Sequence, residues 1–567
     1  MPIVIHMCSH STWQRLSLYI LALFMVLSSS ACVHTLDPTD LKKVNEHVVM
    51  VNGMGKLIDA RSNMPFMDRE RGKHIPFWPY DERNIPAADS DPNREYFTGI
   101  TGSIKNWKGN RSDTCIDKER SRILLFVHGG MNTAKTSIER ATQSSKAILD
   151  DCTYPIFINW DSSLTSSYID HLIYLRQGEH LFPDNQITTT LRGSLSSAGT
   201  TPFYVAYDLV RGAARLPVVL WGVYKQMIKG HINGERQRKI GCTNDMSLVP
   251  VGITQRADIL LCKFHENSNN SLAIAQGTDS RDYWFEQFSQ INLAFWGGFF
   301  QAHAISALVT DTVGTGAWSS MNHRTTVMFN REQDLTNDSP KAEPTGGIAV
   351  FMKEFRQFLE ANGGKSNWEI VLVGHSMGAI VANQMVRQFG HPLSNESAEP
   401  LFDTIVYMAA ASSARDYLNT IPPYLKEYGI EHRNNGHEPR VYHLTLNDRA
   451  EADEQYTPFN HPGSLLIWID NYFARPDSLL DHVVGRYANL LRIIHLHDDS
   501  ILDRVSIKSF NYGDKTKKNN PQTHGDFDEF PFWRPEFWEV RGTKSPFSVE
   551  RCKRDESKQL QCPRSSQ

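Results

Sequence analysis

The most constraining stretch of this chain is Val371-Leu372-Val373-Gly374-His375-Ser376-Met377-Gly378-Ala379. A short β-branched run ends in Gly-x-Ser-x-Gly, and a segment compatible with helix, Ala379 to Phe389, follows at once. Strand, tight turn and helix in that order leave little choice of fold, because the turn must reverse the chain within three residues. It forces Ser376 into a strained backbone conformation, and a side chain at Gly374 or Gly378 would collide with the neighbouring strand or helix. The expected outcome is an exposed hydroxyl at a helix N-terminus, where free N–H groups and the helix dipole favour developing negative charge.

A second signal lies upstream. Ile123-Leu124-Leu125-Phe126-Val127 is a continuous apolar run, as a parallel strand buried on both faces should be. It ends in His128-Gly129-Gly130-Met131-Asn132, and an amphipathic pattern from Thr133 to Leu149 predicts a helix. Tyr154 to Trp160 reads as another buried strand. Strand, helix and strand with short connections imply a βαβ unit and a parallel sheet.

On these residues, Phe126-Val127-His128-Gly129-Gly130 and Gly374-His375-Ser376-Met377-Gly378, the chain resembles the α/β-hydrolase family of serine esterases and lipases. The resemblance implies an α/β fold with a mostly parallel central sheet and helices on both faces. It also implies that Gly130 and Met377 donate backbone N–H groups to an oxyanion. Such donors typically stabilise the transition state by about 3–4 kcal/mol each.

A serine hydroxyl needs a histidine to take its proton, and that histidine needs a carboxylate to hold its tautomer. The family order is Ser, acid, His. After the turn, Thr404 to Ala410 and Arg440 to Leu446 look like further strands, and the second runs into Asn447-Asp448-Arg449-Ala450-Glu451-Ala452-Asp453. The family's acid sits just past this second strand, which points to Asp448, with Glu451 and Asp453 as rivals and Asp416 as a variant position. Val505 to Phe510 supplies a final strand, and beyond a Lys/Asn-rich loop stands His524, where the family places its base. The chain holds 22 histidines. Of these, His128 and His375 are expected to be structural neighbours of the motifs. His495-Leu496-His497-Asp498-Asp499 is one His-x-His without a partner cluster, weak grounds for a metal. No metal or organic cofactor is expected.

The N-terminus suggests export. Leu16 to Leu27 is almost wholly apolar, preceded by Arg15 and followed by Ser28-Ser29-Ser30-Ala31-Cys32. About 12 apolar residues are too few to span a bilayer comfortably and read as a secretory signal, residues 1–32. Cys32 after Ala31 resembles a bacterial lipobox, in which the cysteine is acylated, although Ser29 replaces the usual Leu and Ser29-x-Ala31 equally suits soluble secretion. An uncleaved anchor is the other reading. Val33 in place of an aspartate favours the outer membrane. Six cysteines remain outside this region: Cys115, Cys152, Cys242, Cys262, Cys552 and Cys562. An even number suits an oxidising compartment, and Cys115 with Cys152 is the best pairing, since each precedes one of two neighbouring strands.

A net charge of −4 argues against a nucleic-acid role. Residues 33–110 form an N-terminal segment with early strands expected near Glu95 to Trp107. Residues 111–165 and 341–535 make the core, with a helix from Gly346 to Ala361 before the serine turn, and 536–567 form a tail. Residues 166–340, more than the fold requires, are too many to be structureless and predict a mainly helical inserted cap or lid. Within them, Phe203 to Ile228 and Ile291 to Val313 are apolar and aromatic. Trp221 lies in the first, which Pro217 should kink or divide, and Phe295, Trp296, Phe299 and Phe300 lie in the second. They fit either an ordinary buried core or a membrane-facing lid. The chemistry implied is ester hydrolysis on acyl esters or lipids of the cell envelope, on the outer membrane or in the periplasm or exterior. Acyl transfer, thioester cleavage and peptide hydrolysis would use the same parts. A lipoprotein that keeps the fold as a binding module is the competing class.

Overall fold

The computed structural model describes residues 38–53, 92–110, 120–132, 134–173, 203–219, 301–330, 344–393, 399–428, 438–455, 462–493, 496–510 and 520–538, with a few shorter pieces, namely 55, 57–58, 115, 221–222, 272–274, 553–554 and 560–561. The expected signal peptide and Cys32, and Cys242, Cys262, Cys552 and Cys562, lie outside the described residues.

A mostly parallel sheet forms the centre, giving an α/β fold. Its strands are β1 (Val48–Val51), β2 (Leu57–Ile58), β3 (Ser121–Val127), β4 (Thr153–Trp160), β5 (Leu272–Ile274), β6 (Trp368–His375), β7 (Thr404–Met408), β8 (Arg440–Thr445) and β9 (Val505–Ser509). They lie side by side in the order β2-β1-β4-β3-β6-β7-β8-β9-β5. Only the β1–β2 edge pairs antiparallel. All of β3, β4, β6 and β7 is buried, which explains the apolar runs along their length. Arg122 of β3 and Glu369 of β6 are register partners, and their side chains pair at 2.9 Å, so the one charge on each strand is neutralised inside the sheet.

Helices cover the sheet: α1 (Pro38–His47), α2 (Pro92–Gly109), α3 (Ala134–Asp150), α4 (Leu164–Ile173), α5 (Gln301–Val327), α6 (Gly347–Ala361), α7 (Gly378–Phe389) and the short α8 (Asp448–Asp453). The strands expected near Glu95 to Trp107 are in fact α2. Its buried residues Phe97, Ile100 and Ile104 recur at helical spacing, and Pro92 opens it at a position where a missing N–H costs nothing. The early strand of this segment is β1, an all-apolar run of four residues. Cys115 and Cys152 are joined as a disulfide just ahead of β3 and β4.

Part of the insertion is helical and part of it shares the main core. Ala317, Trp318 and Met321 of α5 belong to the same buried cluster as the sheet. Arg324 reaches from α5 to the carboxyl end of β4, donating to the Asp161 carbonyl at 2.7 Å and the Ser167 hydroxyl at 3.1 Å. A Cβ at Gly314 would stand 1.9 Å from the Phe473 ring, and one at Gly316 would stand 2.5 Å from the His171 ring of α4. These two notches let α5 lie flush against α4 and against the segment around Phe473. A second helix, 203–219, runs past Pro217 to residue 219 without division there. No helix among the described residues is long and apolar enough to cross a membrane.

Candidate active site

The sheet order marks one place where a site can form. From β3 the chain moves to β4 on one side, and from β6 it moves to β7 on the other, while β3 and β6 pair directly from Ser121 and Trp368 to Val127 and Gly374. Adjacent connections therefore part at the carboxyl ends of these two strands, leaving the crevice in which open parallel sheets hold ligands. His128-Gly129-Gly130 leaves one strand there, and His375-Ser376-Met377 leaves the other.

Ser376 sits in the left-handed region at φ 52. For a residue with a Cβ that costs roughly 1–3 kcal/mol, and the surroundings enforce it. Its N–H donates to the Met408 carbonyl at 2.9 Å, and its carbonyl accepts from Ala411 N–H at 2.9 Å. The flanking glycines are needed for contact: a Cβ at Gly378 would lie 2.2 Å from the Val127 carbonyl oxygen, and one at Gly374 would lie 2.9 Å from Ala379 Cα. Met377 is the N-cap of α7.

The loop after β3 lies directly on this turn. A Cβ at Gly129 would be 2.8 Å from Ser376 Cβ, and one at Gly130 would be 2.7 Å from Met377 Sδ. Three donors hold the Gly129 carbonyl: the His128 ring at 2.7 Å, Asn132 Nδ2 at 3.1 Å and the Ser162 hydroxyl at 3.1 Å. In a trans peptide the following N–H points the opposite way, so these bonds also aim the Gly130 N–H. Neither the Gly130 nor the Met377 N–H has a hydrogen-bond partner among the described residues. Burial lowers His128 to about 4, only partly opposed by its bond to Gly129, and the neutral ring accepts the Trp160 N–H at 3.1 Å. His128 is thus a strut of the loop, as expected.

His524 is buried, and neither ring nitrogen has a hydrogen-bond partner among the described residues. Burial, reinforced by His375 and opposed by Asp528, lowers it to about 3, so the imidazole is neutral and a weaker base than an ordinary histidine. Its main-chain N–H donates to Glu454 Oε2 at 2.9 Å, and its carbonyl accepts from His375 Nε2 at 2.9 Å. Through His375, the residue beside Ser376, the structure joins His524 to the serine turn. His375 Nδ1 also faces Asp528 Oδ2 at 3.5 Å. Burial alone would raise the Asp528 carboxyl, but His375, Arg140 and His128 together hold it below the usual range.

The carboxylates expected past β8, and Asp416 past β7, have other partners among the described residues. Asp448 opens α8 and accepts the Ala488 N–H at 3.4 Å. Glu451 accepts the Ser464 hydroxyl, and burial pushes it up to about 7. Asp453 pairs with Arg449 at 3.5 Å, and Asp416 pairs with Arg387. None of the four is hydrogen-bonded to the His524 ring. Glu454, one residue past the acidic run, reaches the His524 main chain, and Asp528, four residues past the histidine itself, faces His375.

A further difference from expectation is the burial of Ser376, which is 1 % exposed. The loop 128–130 crowds it, and Met321 of α5 packs on that loop, with its Sδ 3.5 Å from a Cβ at Gly130. His497 of the His-x-His segment is spent on the Tyr417 hydroxyl at 2.8 Å. Among the described residues no group of His, Cys, Asp and Glu is arranged to hold a metal ion. Comparison of the chain with protein-family models, curated proteins and solved structures finds no match.

Proposed function

We propose that the chain is a serine hydrolase of the α/β-hydrolase type, cleaving carboxylic esters through an acyl-enzyme. The observation that carries this reading is the contact of Gly129 and Gly130 with Ser376 and Met377 at the point where the sheet connections part. Ser376 Oγ attacks the ester carbonyl carbon while its proton passes to His524. The tetrahedral oxyanion takes hydrogen bonds from the Gly130 and Met377 N–H groups. Collapse breaks the bond to the alcohol, which leaves with the proton from His524. Water then attacks the acyl carbon, gives its proton to His524, and the acid departs as Ser376 recovers that proton.

An acyl or lipid ester of the cell envelope is the proposed substrate class, with the membrane reached through the Cys32 anchor and the insertion. Helix 203–219 supports the second contact, because it wears its apolar residues outside. Phe203 (77 % exposed), Tyr207, Val210 and Val218 face out, and Trp221 beyond it is also exposed. Its charges are paired: Asp208 is buried beside His171 and Arg211, and Arg215 meets Asp311 of α5 at 2.6 Å, with both arginines partly exposed at the border of the apolar face. An outward face rich in apolar residues and bordered by arginines suits an interface with lipid.

A fluorophosphonate probe tests the core of this reading on the wild type, Ser376→Ala and His524→Ala. Labelling of the wild type alone is expected, and labelling that survives Ser376→Ala would remove Ser376 as nucleophile. The buried hydroxyl and the absence, among the described residues, of a carboxylate on the His524 ring favour one second reading, a binding module built on the same fold, which an unlabelled wild type would support. A chain-length series of esters tests the lipid assignment, and acetyl esters turned over as well as long-chain ones would count against it. Acyl transfer and thioester cleavage share the first step, and trapping the acyl group on an added alcohol or thiol separates them.

A further inference from the structure

Glu454 holds His524 by its main chain. The carboxylate, buried at the end of α8, accepts the His524 N–H at 2.9 Å, while the neighbouring carbonyl is taken by His375 Nε2 at 2.9 Å. Each peptide group of the histidine is thus tied to a different element, one after β8 and the other at the end of β6. The surrounding turn is stapled by Asp526, which accepts the N–H groups of Gln522 at 2.9 Å and Thr523 at 2.8 Å. Glu454 is itself anchored, since its carbonyl accepts the Gly463 N–H at 2.8 Å. A buried N–H needs an acceptor, and the Glu454 oxygen supplies it where water does not reach.

We propose that Glu454 is a positioning residue for the general base: by accepting the His524 N–H it fixes where the imidazole stands relative to Ser376. It acts as a hydrogen-bond acceptor on the main chain and not as the charged partner of the ring. This rests on the reading of Ser376 and His524 as nucleophile and base. The carboxylate that orients a catalytic histidine ring and the one that seats its backbone are then separate tasks, and Asp448, the residue the sequence favours for the first, does not perform the second.

The test compares wild type, Glu454→Gln and Glu454→Ala in the whole chain. Glutamine keeps an acceptor oxygen and loses only the charge. The second-order rate of fluorophosphonate labelling is expected to fall roughly 10- to 100-fold in Glu454→Ala, the usual cost of displacing a catalytic group by about 1 Å. In Glu454→Gln it should stay within about threefold of wild type with an unaltered pH profile. A Glu454→Ala rate equal to wild type overturns the proposal, and so does a glutamine variant as slow as alanine. If the wild type does not label, the Ser376 reading falls, and deuterium uptake by the segment 520–530 decides the clamp on its own. Faster uptake in Glu454→Ala with wild-type uptake in Glu454→Gln supports it, and equal uptake in all three overturns it.

Discussion

Gly129 and Gly130 are neighbours in sequence, yet replacing each by alanine should have very different consequences. A Cβ at Gly129 would stand 2.8 Å from Ser376 Cβ, 3.2 Å from the His375 carbonyl oxygen and 3.5 Å from Ser376 Oγ. Carbon atoms pack best at about 3.5–4.0 Å, so the loop and the serine must part by roughly 0.7–1.2 Å. Ser376 cannot give way cheaply, because its N–H and carbonyl are both bonded, to Met408 and Ala411. The loop therefore moves, and the Gly130 N–H moves with it, away from the place where an oxyanion forms. A displacement of about 1 Å at reacting atoms costs on the order of 100-fold in rate, and loss of one oxyanion donor costs about 100- to 1000-fold. At Gly130 the added methyl meets Met377 Sδ at 2.7 Å and Met321 Sδ at 3.5 Å, the ends of flexible thioether chains that can swing aside. Gly130→Ala should therefore cost less than about fivefold. The assays are the second-order rate of fluorophosphonate labelling and the hydrolysis of a p-nitrophenyl ester, each beside a melting curve. Wild-type labelling by Gly129→Ala with an unchanged Tm, or a reversal of the order of the two variants, would refute this account of the loop.

Three other predictions concern titration and stability. Replacing Cys115 and Cys152 by serine opens a link across 37 residues, and chemical denaturation should show a loss of roughly 4 kcal/mol; a loss under about 1 kcal/mol would mean that the unfolded chain is already restrained there. Burial holds His47 and His128 at about 4 and His443 and His524 at about 3, so the unfolded chain takes up protons below about pH 6.5 that the folded chain refuses. The stability these groups contribute is complete above pH 6.5 and is lost as the pH falls toward their folded values, at up to about 1.4 kcal/mol per pH unit for each. Glu451, raised to about 7, works the other way: its contribution is present at low pH and is lost as the pH rises through 7, so Glu451→Gln should steepen the acid side of a Tm–pH curve. A flat curve between pH 7 and 4.5 would sink this. Finally, a base that stays neutral down to about 3 should leave the labelling rate level from pH 8 to about 5, and a fall centred near 6.5 would show that His524 titrates as an ordinary histidine.

The sheet was legible because of how it is buried. Strands covered on both faces select apolar residues, and β3, β4, β6 and β7 were readable by their apolar runs, whereas β8 and β9 carry Arg440, His443, Ser506 and Lys508 among their apolar residues. The serine turn was legible because Gly374 and Gly378 answer to contacts made within a few residues and with the adjacent strand. The segment 92–109 misled, since β-branched Thr98, Ile100, Thr101 and Ile104 mimic a strand, while what decides it is the helical spacing of the buried Phe97, Ile100 and Ile104. The acid was the least legible part. Asp448, Glu451, Asp453 and Glu454 lie within seven positions on and just past one short helix, and only three-dimensional packing decides which carboxylate turns toward His524. The carboxylate that reaches its main chain lies just beyond the run that the sequence marks, and Asp528 follows the histidine where no order of motifs points.

The glycine notches of α5 have a mechanical consequence for access to the buried serine. With Phe473 and the His171 ring seated where side chains would be, α5 can neither roll about its axis nor slide along it without driving backbone into those rings. Arg324 adds a tether at the far end, onto Asp161 and Ser167. The Met321 thioether can turn away from Gly130 alone, but a motion of the α5 backbone must carry α4 and the Phe473 segment along, so the three shift as a single slab or not at all.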